Sequence, residues 1–298
     1  MFIPYKADLV FNRIPFLTII VSIVCIAIYI QQVENESLLV TETQSYCDQN
    51  TSRGFQRTLK TIKLSCPEFL LQIRLSESEP KEEIQDYIFE TQSARTSIGG
   101  QEYFESFLTE AYEQYILKVP DHYLTDQLTY KPETWYISNM ITSAFAHGSW
   151  SHVIGNLFFF LAFSAAVEII LGLFWYSYAF LLLAVGTNVF YSLYTLMEVN
   201  PAPTLGLSGV VMGMMGLFVY FLPKTKIKMI FFIIVFFKRF MVPAWILVGI
   251  YFGLDVYTLL DSGMGGVNLI AHISGAAIGF FMGYFLFKSK KQFLKEQQ

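Results

Sequence analysis

The stretch Gly206-Leu207-Ser208-Gly209 opens a run of apolar and small residues that ends at Leu222. Further glycines follow at positions 213 and 216, and small residues at this spacing let another helix backbone approach closely inside a bilayer. A second run of this kind begins at Ala271-His272 and carries glycines at positions 275, 279 and 283. The two runs predict a pair of tightly packed membrane helices with a serine and a histidine at the same end.

The composition of the chain is that of a protein built into a membrane. Of its 298 residues, 54% are hydrophobic and only 15% are charged, which is less charge than a soluble domain carries. The apolar residues fall in blocks close to the ~20 residues that cross a bilayer. We therefore predict an all-α polytopic membrane protein with six transmembrane helices. The first covers 14–30, the second ends near 171, and the others lie at about 176–196, 205–222, 242–260 and 269–287.

Net charge and cysteine content argue against several other classes of function. The formal net charge of −4 gives no indication of a nucleic-acid partner. The three cysteines form no metal-ligand cluster, and we predict neither a metal nor an organic cofactor.

Residues 31–134 form a large insertion in the first loop. The part from 31 to 133 holds 18 of the 24 acidic but only 9 of the 20 basic residues, so we predict a partly helical domain outside the lipid. Pro80 suits the first turn of one helix, and apolar residues at helical spacing predict another over 101–117. We interpret the apolar stripe of the latter as internal packing, with substrate docking as the alternative.

Cys47 and Cys66 both fall in this insertion. In an oxidising compartment we expect them to form a disulfide, with two free thiols as the alternative.

Two further segments are expected at the membrane surface. Trp135–Ala146 has apolar residues on one helical face, and its tryptophan suits the headgroup level, so we predict an interfacial helix. Pro223–Met241 contains only nine consecutive apolar residues, which is too short for a spanning helix. We interpret it as a loop that dips into the interface or as a hairpin.

The basic residues predict the orientation. Outside the insertion there are eleven, and the six-helix arrangement puts all of them on one side of the membrane, which the positive-inside tendency makes cytoplasmic. The segment 1–13 and the basic tail 288–298 are then cytoplasmic, and the insertion lies outside. We expect a cell membrane location, in a bacterial inner membrane, with the site facing the extracytoplasmic side. The eleven residues are Lys6, Arg13, Lys224, Lys226, Lys228, Lys238, Arg239, Lys288, Lys290, Lys291 and Lys295.

With this topology, four polar side chains from three helices lie at one depth near the outer face: His152, Asn156, Ser208 and His272. Polar groups in lipid are costly unless they serve one another or line a wet cavity. Serine needs a base within hydrogen-bond reach to act as a nucleophile, and His272 is the candidate. Asn156, His152 and the Ser208 backbone N–H are candidate donors to an oxyanion. The alternatives are that the serine only permits helix packing and that the histidine only bonds between helices.

Other polar and sulfur-containing residues have separate interpretations. His147 lies either in the site or outside it in solvent. Glu168, near the inner end of the second helix, is expected to accept hydrogen bonds from helix-end or loop N–H groups. Asp255 lies near the site but is interpreted as facing the interface rather than as catalytic. The methionines at 212, 214 and 215 are interpreted as packing or pocket lining.

These motifs together resemble the rhomboid family of intramembrane serine proteases. The matching residues, in the family's order, are His147, His152 and Asn156 in H-x4-H-x3-N, then Gly206-Leu207-Ser208-Gly209, and Ala271-His272 followed by Gly275 and Gly279. The resemblance covers 135–287 well and the first helix loosely. At position 212, where some members carry a tyrosine that packs on the base, this chain has Met212.

The resemblance implies a six-helix rhomboid-like core and a Ser208–His272 dyad without a third, acidic member. It implies an oxyanion site that uses His152 and Asn156, and we name His147, Gly206 and Met212 as secondary candidates for the site. The function expected is endoproteolytic cleavage of transmembrane-helix substrates near the outer membrane face. The rival is a client-binding pseudoprotease, although such proteins usually lack the serine or the histidine. A transporter or receptor is disfavoured, since the sequence has neither paired mid-span charges nor inverted repeats.

Overall fold

The computed structural model describes residues 2–7, 13–61, 63–76, 80–92, 98–119, 123–198, 201–233, 236–262 and 267–296. The chain is mostly helical and divides into two compact units. One comprises residues 1–30 and 125–298, and the other comprises residues 31–124. We call them the membrane unit and the insertion unit.

The membrane unit has a helix at each of the six predicted positions. They are α1 (Phe16–Asn50), of which residues up to 30 belong to this unit, α8 (Trp150–Leu171), α9 (Leu173–Tyr194), α10 (Ser208–Phe221), α11 (Ala244–Ser262) and α12 (Leu269–Leu286). Among the described residues, five of these helices are long and apolar enough to cross a membrane. The exception is α10, which at 14 residues is about 21 Å long and shorter than the ~30 Å hydrocarbon layer.

Helix α10 forms the centre of the membrane unit. All of its residues except Ser208 and Val219 are buried, and it contacts α8, α9, α11 and α12. Helix α11 is much more exposed, with outward-facing apolar side chains such as Leu254 and Leu260. Exposed apolar surface on long helices is what a lipid environment requires, whereas α10 is shielded by protein.

The start of α1 is held by a buried carboxylate on α8, as the sequence predicted for Glu168. Glu168 Oε1 accepts a hydrogen bond from the Leu17 N–H at 2.9 Å, and its Oε2 accepts from the Thr18 N–H and hydroxyl, both at 2.7 Å. The first N–H groups of a helix have no partner within the helix, so an anion at that end is stabilising. The prediction that Glu168 serves a helix end is therefore confirmed.

The structure also contains a small sheet, which the sequence indicated only in part. Strand β2 (Lys226–Ile233) pairs antiparallel with β3 (Phe236–Pro243), so the hairpin interpretation of this segment is correct. Strand β1 (Phe2–Ala7), which was not predicted, adds to the other edge of β2. Ile227 and Met229 are buried while Lys226 is exposed, the period-two alternation of a strand with one covered face.

Two helices differ clearly in extent from those predicted. Helix α1 does not end at Ile30 but continues to Asn50, because residues 31–50 contain no glycine or proline to stop it. The helix predicted over Trp135–Ala146 is reduced to α7 (Ile137–Thr142). There, tertiary partners take the carbonyls that a longer helix would use, since Asn188 donates to the Met140 carbonyl and Gly206 donates to that of Ser143.

The insertion unit is a small helical domain with its own core. Besides the second part of α1 it contains α2 (Arg53–Thr61), α3 (Cys66–Leu75), α4 (Pro80–Gln92) and α5 (Ile98–Lys118). The apolar stripe of α5 faces this core, with Leu108 and Tyr115 fully buried, so the packing interpretation of the stripe is correct. The short α6 (Leu124–Leu128) follows, and α13 (Lys288–Glu296) comes after α12 near the C-terminal end of the sequence.

The structure joins Cys47, on α1, to Cys66, at the start of α3, by a disulfide with the Cα atoms 5.9 Å apart. We expect neither thiol to be alkylated before reduction, as mass spectrometry of the intact protein would reveal. Closing a loop of 19 residues' separation should stabilise the insertion unit by about 3 kcal/mol. A Cys47→Ser, Cys66→Ser variant should be cleaved faster in residues 31–124 by added protease. Equal cleavage rates with and without the bond would contradict this.

Candidate active site

Direct backbone contact between α10 and α12 determines where Ser208 and His272 lie. A Cβ added to Gly275 would collide with the Gly209 carbonyl, and one added to Gly279 would collide with that of Gly213. The two helices therefore run parallel in a register that pairs position 209 with 275 and 213 with 279. Ser208 begins α10 one residue before this contact, and His272 precedes it by about one turn on α12. The glycines thus bring the serine and the histidine to the same end of the helix pair.

The two ring nitrogens of His272 have different surroundings. Nδ1 lies 3.1 Å from Oδ2 of Asp255 on α11. Nε2 is buried, and no hydrogen-bonding atom among the described residues reaches it. A hydrogen bond from Ser208 to the base is therefore not formed in this state, which is common for catalytic pairs in the absence of substrate. The nitrogen available for such a bond is Nε2.

Two candidate oxyanion donors lie on the first turns of α8. The Ser149 hydroxyl caps this helix by accepting from the His152 N–H at 3.1 Å, and Asn156 follows one turn later. Asn156 Nδ2 is buried with no described hydrogen-bond partner. A buried amide donor without a partner costs free energy, and such exceptions call for an explanation. An oxygen of a bound substrate would provide that partner.

Gly206 connects these donors to the serine. Its φ of +120° is one that side-chain-bearing residues rarely adopt, and a Cβ there would be 2.8 Å from His152 Cε1 and Nε2 and 3.7 Å from Asn156 Nδ2. The backbone just before Ser208 therefore runs against both α8 side chains. Only glycine allows this approach without displacing the His152 ring.

The loop before Ser208 is fixed by hydrogen bonds at three points. Thr204 exchanges backbone hydrogen bonds with Tyr130, and its hydroxyl accepts from Asn268 Nδ2 at 3.0 Å. Asn268 also caps α12 by accepting from the Ala271 N–H at 2.9 Å, and the Gly206 N–H donates to the Ser143 carbonyl at 2.8 Å. The loop is thus tied to the start of the helix that carries His272.

A cavity of about 20 Å³ lies beside Ser208. Its walls include polar side chains from α9 and from the surrounding loops, and this volume is close to that needed for one water molecule. The polar lining residues are Ser143, Thr187, Asn188, Thr204, Ser208 and Asn268.

His147 lies beside the site rather than in solvent. It is buried, its ring packs edge-on to that of His152 with centroids 5.1 Å apart, and its Nδ1 is 3.2 Å from the Phe145 carbonyl. Burial, and secondarily the charge of His152, lowers the pKa of His147 to about 4. A neutral ring is therefore expected at neutral pH, which suits packing against His152.

The sequence predicted the surroundings of Met212 correctly but not those of Asp255. Met212, one turn after Ser208, is buried with its neighbours Met214 and Met215 in the core of the membrane unit, as the packing interpretation expected. Asp255 was interpreted as facing the interface, but it contacts the candidate base. The sequence feature that could have indicated this contact is a carboxylate inside an apolar helix, since such a charge is costly without a function or a partner.

The fold is that of a multi-pass membrane protein with a group of polar side chains beside the start of α10. The Rhomboid domain family profile matches residues 133–289, which is more than half of the chain, so the protein belongs to the rhomboid family. It is also similar to Rhomboid-like protein 11, chloroplastic, of Arabidopsis thaliana, with 31% identity over 164 residues. That alignment covers 52% of this chain and 53% of the relative, so the chain spans about half the length of the curated relative it matches.

Membership of the rhomboid family supports an intramembrane protease or pseudoprotease-like function.

Proposed function

We propose that the protein is an intramembrane serine endopeptidase that uses a dyad of Ser208 and His272. The observation that carries the proposal is the buried Nε2 of His272, which has no partner among the described residues, on the helix that contacts the start of α10. Within the same described part of the chain, Nδ2 of Asn156, beside the backbone of Gly206, also lacks a partner and supports the proposal independently. A packing serine and a structural histidine would not explain why His272 and Asn156 each bury a nitrogen that has no hydrogen-bond partner among the described residues.

The reaction follows from these atoms. Ser208 Oγ attacks the carbonyl carbon of the scissile peptide bond while His272 Nε2 accepts the hydroxyl proton. The negative charge on the carbonyl oxygen is stabilised by donors from Asn156, from His152 and from the Ser208 backbone N–H at the helix start. His272 returns the proton to the leaving amine as the C–N bond breaks, and water then hydrolyses the acyl-enzyme by the same proton transfers in reverse.

The proposed substrates are transmembrane helices of other proteins. A peptide bond inside a helix must leave it to reach Ser208, so we infer that cleavage favours helices loosened by glycine or proline near the active-site side of the membrane.

Covalent labelling tests the proposal directly. A fluorophosphonate probe should label the protein in membranes and should not label Ser208→Ala, because the probe reacts only with an activated serine. The matched control is Ser274→Ala, which removes another hydroxyl close to the site, on α12, and should leave labelling unchanged. Absence of labelling in wild-type protein, together with retained binding of membrane helices, would favour the client-binding pseudoprotease instead.

The orientation is a separate prediction. We expect both ends of the sequence to lie on the cytoplasmic side and residues 31–133 on the other, because eleven basic residues outside the insertion fall on one side of six helices. Tags at each end and in the insertion, probed with protease in sealed vesicles and again after detergent, will measure this. A C-terminal tag found on the same side as the insertion would contradict it. The bacterial inner membrane remains a prediction of this kind, while the matched relative is named as chloroplastic.

A further inference from the structure

Asp255 lies on α11, and its carboxylate is 3.1 Å from Nδ1 of His272 on α12. The contact is mostly shielded from solvent, with the side chains of His272 and Asp255 only 16% and 18% exposed. A carboxylate in an apolar, spanning helix is costly to maintain unless it has a partner, and His272 supplies one. The dyad thus has an acidic neighbour that the resemblance to other rhomboid proteases did not imply.

The geometry points to Asp255 as a positioning residue for His272, an inference that rests on the proposed serine-protease function. Asp255 Oδ2 accepts the Nδ1–H hydrogen bond, which leaves Nε2 without a proton. The hydrogen bond made by one ring nitrogen determines which tautomer a neutral histidine adopts. Nε2 is therefore the nitrogen available to accept the Ser208 proton, and the carboxylate stabilises the imidazolium that forms when that proton is transferred.

The surroundings of the ring show why such a residue is needed. The α10 side chain at position 212, where some rhomboid members carry a tyrosine that packs on the base, is the buried thioether of Met212, which donates no hydrogen bond. Nε2 has no described partner that would fix the tautomer from the other side. Among the described residues, Asp255 is the polar group that contacts the ring nitrogens.

A purely structural contact between α11 and α12 is the competing explanation. The two explanations differ in what they predict for Asp255→Asn, which keeps the side-chain shape. Its amide can donate to Nδ1, which shifts the ring proton to Nε2 and removes the base from the serine. Positioning therefore predicts lower kcat with little change in KM, whereas a structural contact predicts lower thermal stability and unchanged kcat.

We expect Asp255→Asn to lower kcat for a transmembrane substrate at least tenfold. The loss should stay below the roughly 10⁴-fold seen when a fully buried triad aspartate is replaced, because this pair is partly exposed. Asp255→Glu, which keeps the carboxylate, should recover part of the rate. The matched control is Asp261→Asn, which removes an exposed carboxylate from the same helix and should leave kcat within twofold of wild type.

The tautomer itself is a readout that does not depend on activity. In protein labelled with ¹⁵N-histidine, the His272 signals can be assigned by their loss in His272→Ala, since the chain has four histidines. At a pH where the spectra show a neutral ring, wild type should carry the proton on Nδ1, and Asp255→Asn should carry more of it on Nε2. Unchanged kcat in Asp255→Asn, or the Nε2–H tautomer in wild type, would overturn the inference. An inactive wild type would overturn the proposed protease function instead, while the spectra would still decide the role of Asp255.

Discussion

Replacing Ser208 or His272 is expected to abolish cleavage of a transmembrane substrate while the protein remains folded and inserted. Ser208 opens α10 and no hydrogen bond of its hydroxyl is recorded among the described residues, so Ser208→Ala removes one oxygen and leaves no cavity of consequence. For His272 we prefer Gln, because its amide can still donate to Asp255 and avoids leaving that carboxylate alone in an apolar helix. Either change removes the activated nucleophile.

The expected loss in each single variant is roughly 10⁴-fold or more, and the double variant should be no worse than the singles, because the two residues act as a unit. The measurement is gel-based cleavage of a tagged single-span substrate by purified enzyme in liposomes. Folding of each variant is checked by its thermal unfolding in the same lipid. Undiminished cleavage by well-folded Ser208→Ala would end the serine-protease proposal. Additive losses would mean that the two side chains act separately.

The helices and their order were predictable because each helix has a signal within its own segment of the sequence. Long apolar blocks predict the spanning helices, and Gly172, with a φ of +75°, separates α8 from α9. The spacing of the glycines in α10 and α12 predicts the close contact between these two helices. The same is true of the candidate donors, since His152 and Asn156 are four residues apart and so share one helical face. Local periodicity also identified α5 as a helix whose apolar face packs in the core of the insertion unit.

Features that depend on pairing between distant segments were not predictable in this way. Strand β1 forms because it pairs with the edge of β2, some 220 residues further along the chain. A segment of six residues is too short for its own periodicity to predict this pairing. The early end of α7 depends on the donor groups of Asn188 and Gly206, which come from other parts of the fold. Periodicity in one segment contains no information about such partners.

The contact between Asp255 and His272 was not predicted for a related reason. Position 255 precedes His272 by 17 residues and lies on a different helix, so no spacing rule connects the two side chains. From the residues alone, only the cost of placing a carboxylate in an apolar helix could be inferred, and that cost is compatible with a position at the interface. The three-dimensional contact is what distinguishes the two possibilities.

Replacing Gly206 by alanine is expected to cause the second largest loss of activity, although Gly206 supplies no side chain to the reaction. Its φ of +120° is strained for alanine, at a cost of about 1–3 kcal/mol, and the new Cβ would lie 2.8 Å from the His152 ring. Either the ring moves or the backbone leading to Ser208 moves, and both separate the serine from its candidate oxyanion donors.

Loss of a single oxyanion donor typically costs about 10²–10³-fold in kcat, so Gly206→Ala should lose at least that much. The matched control is Gly155→Ala, beside Asn156 on α8, where an added Cβ meets no atom within 4 Å and activity should be retained. Both variants should retain membrane insertion, since Gly206 lies before the start of α10 and a Cβ at position 155 would meet no atom within 4 Å. Cleavage rates of the two purified variants in liposomes will measure the difference. Wild-type cleavage by Gly206→Ala would mean that the approach of residue 206 to His152 and Asn156 is not part of the catalytic geometry.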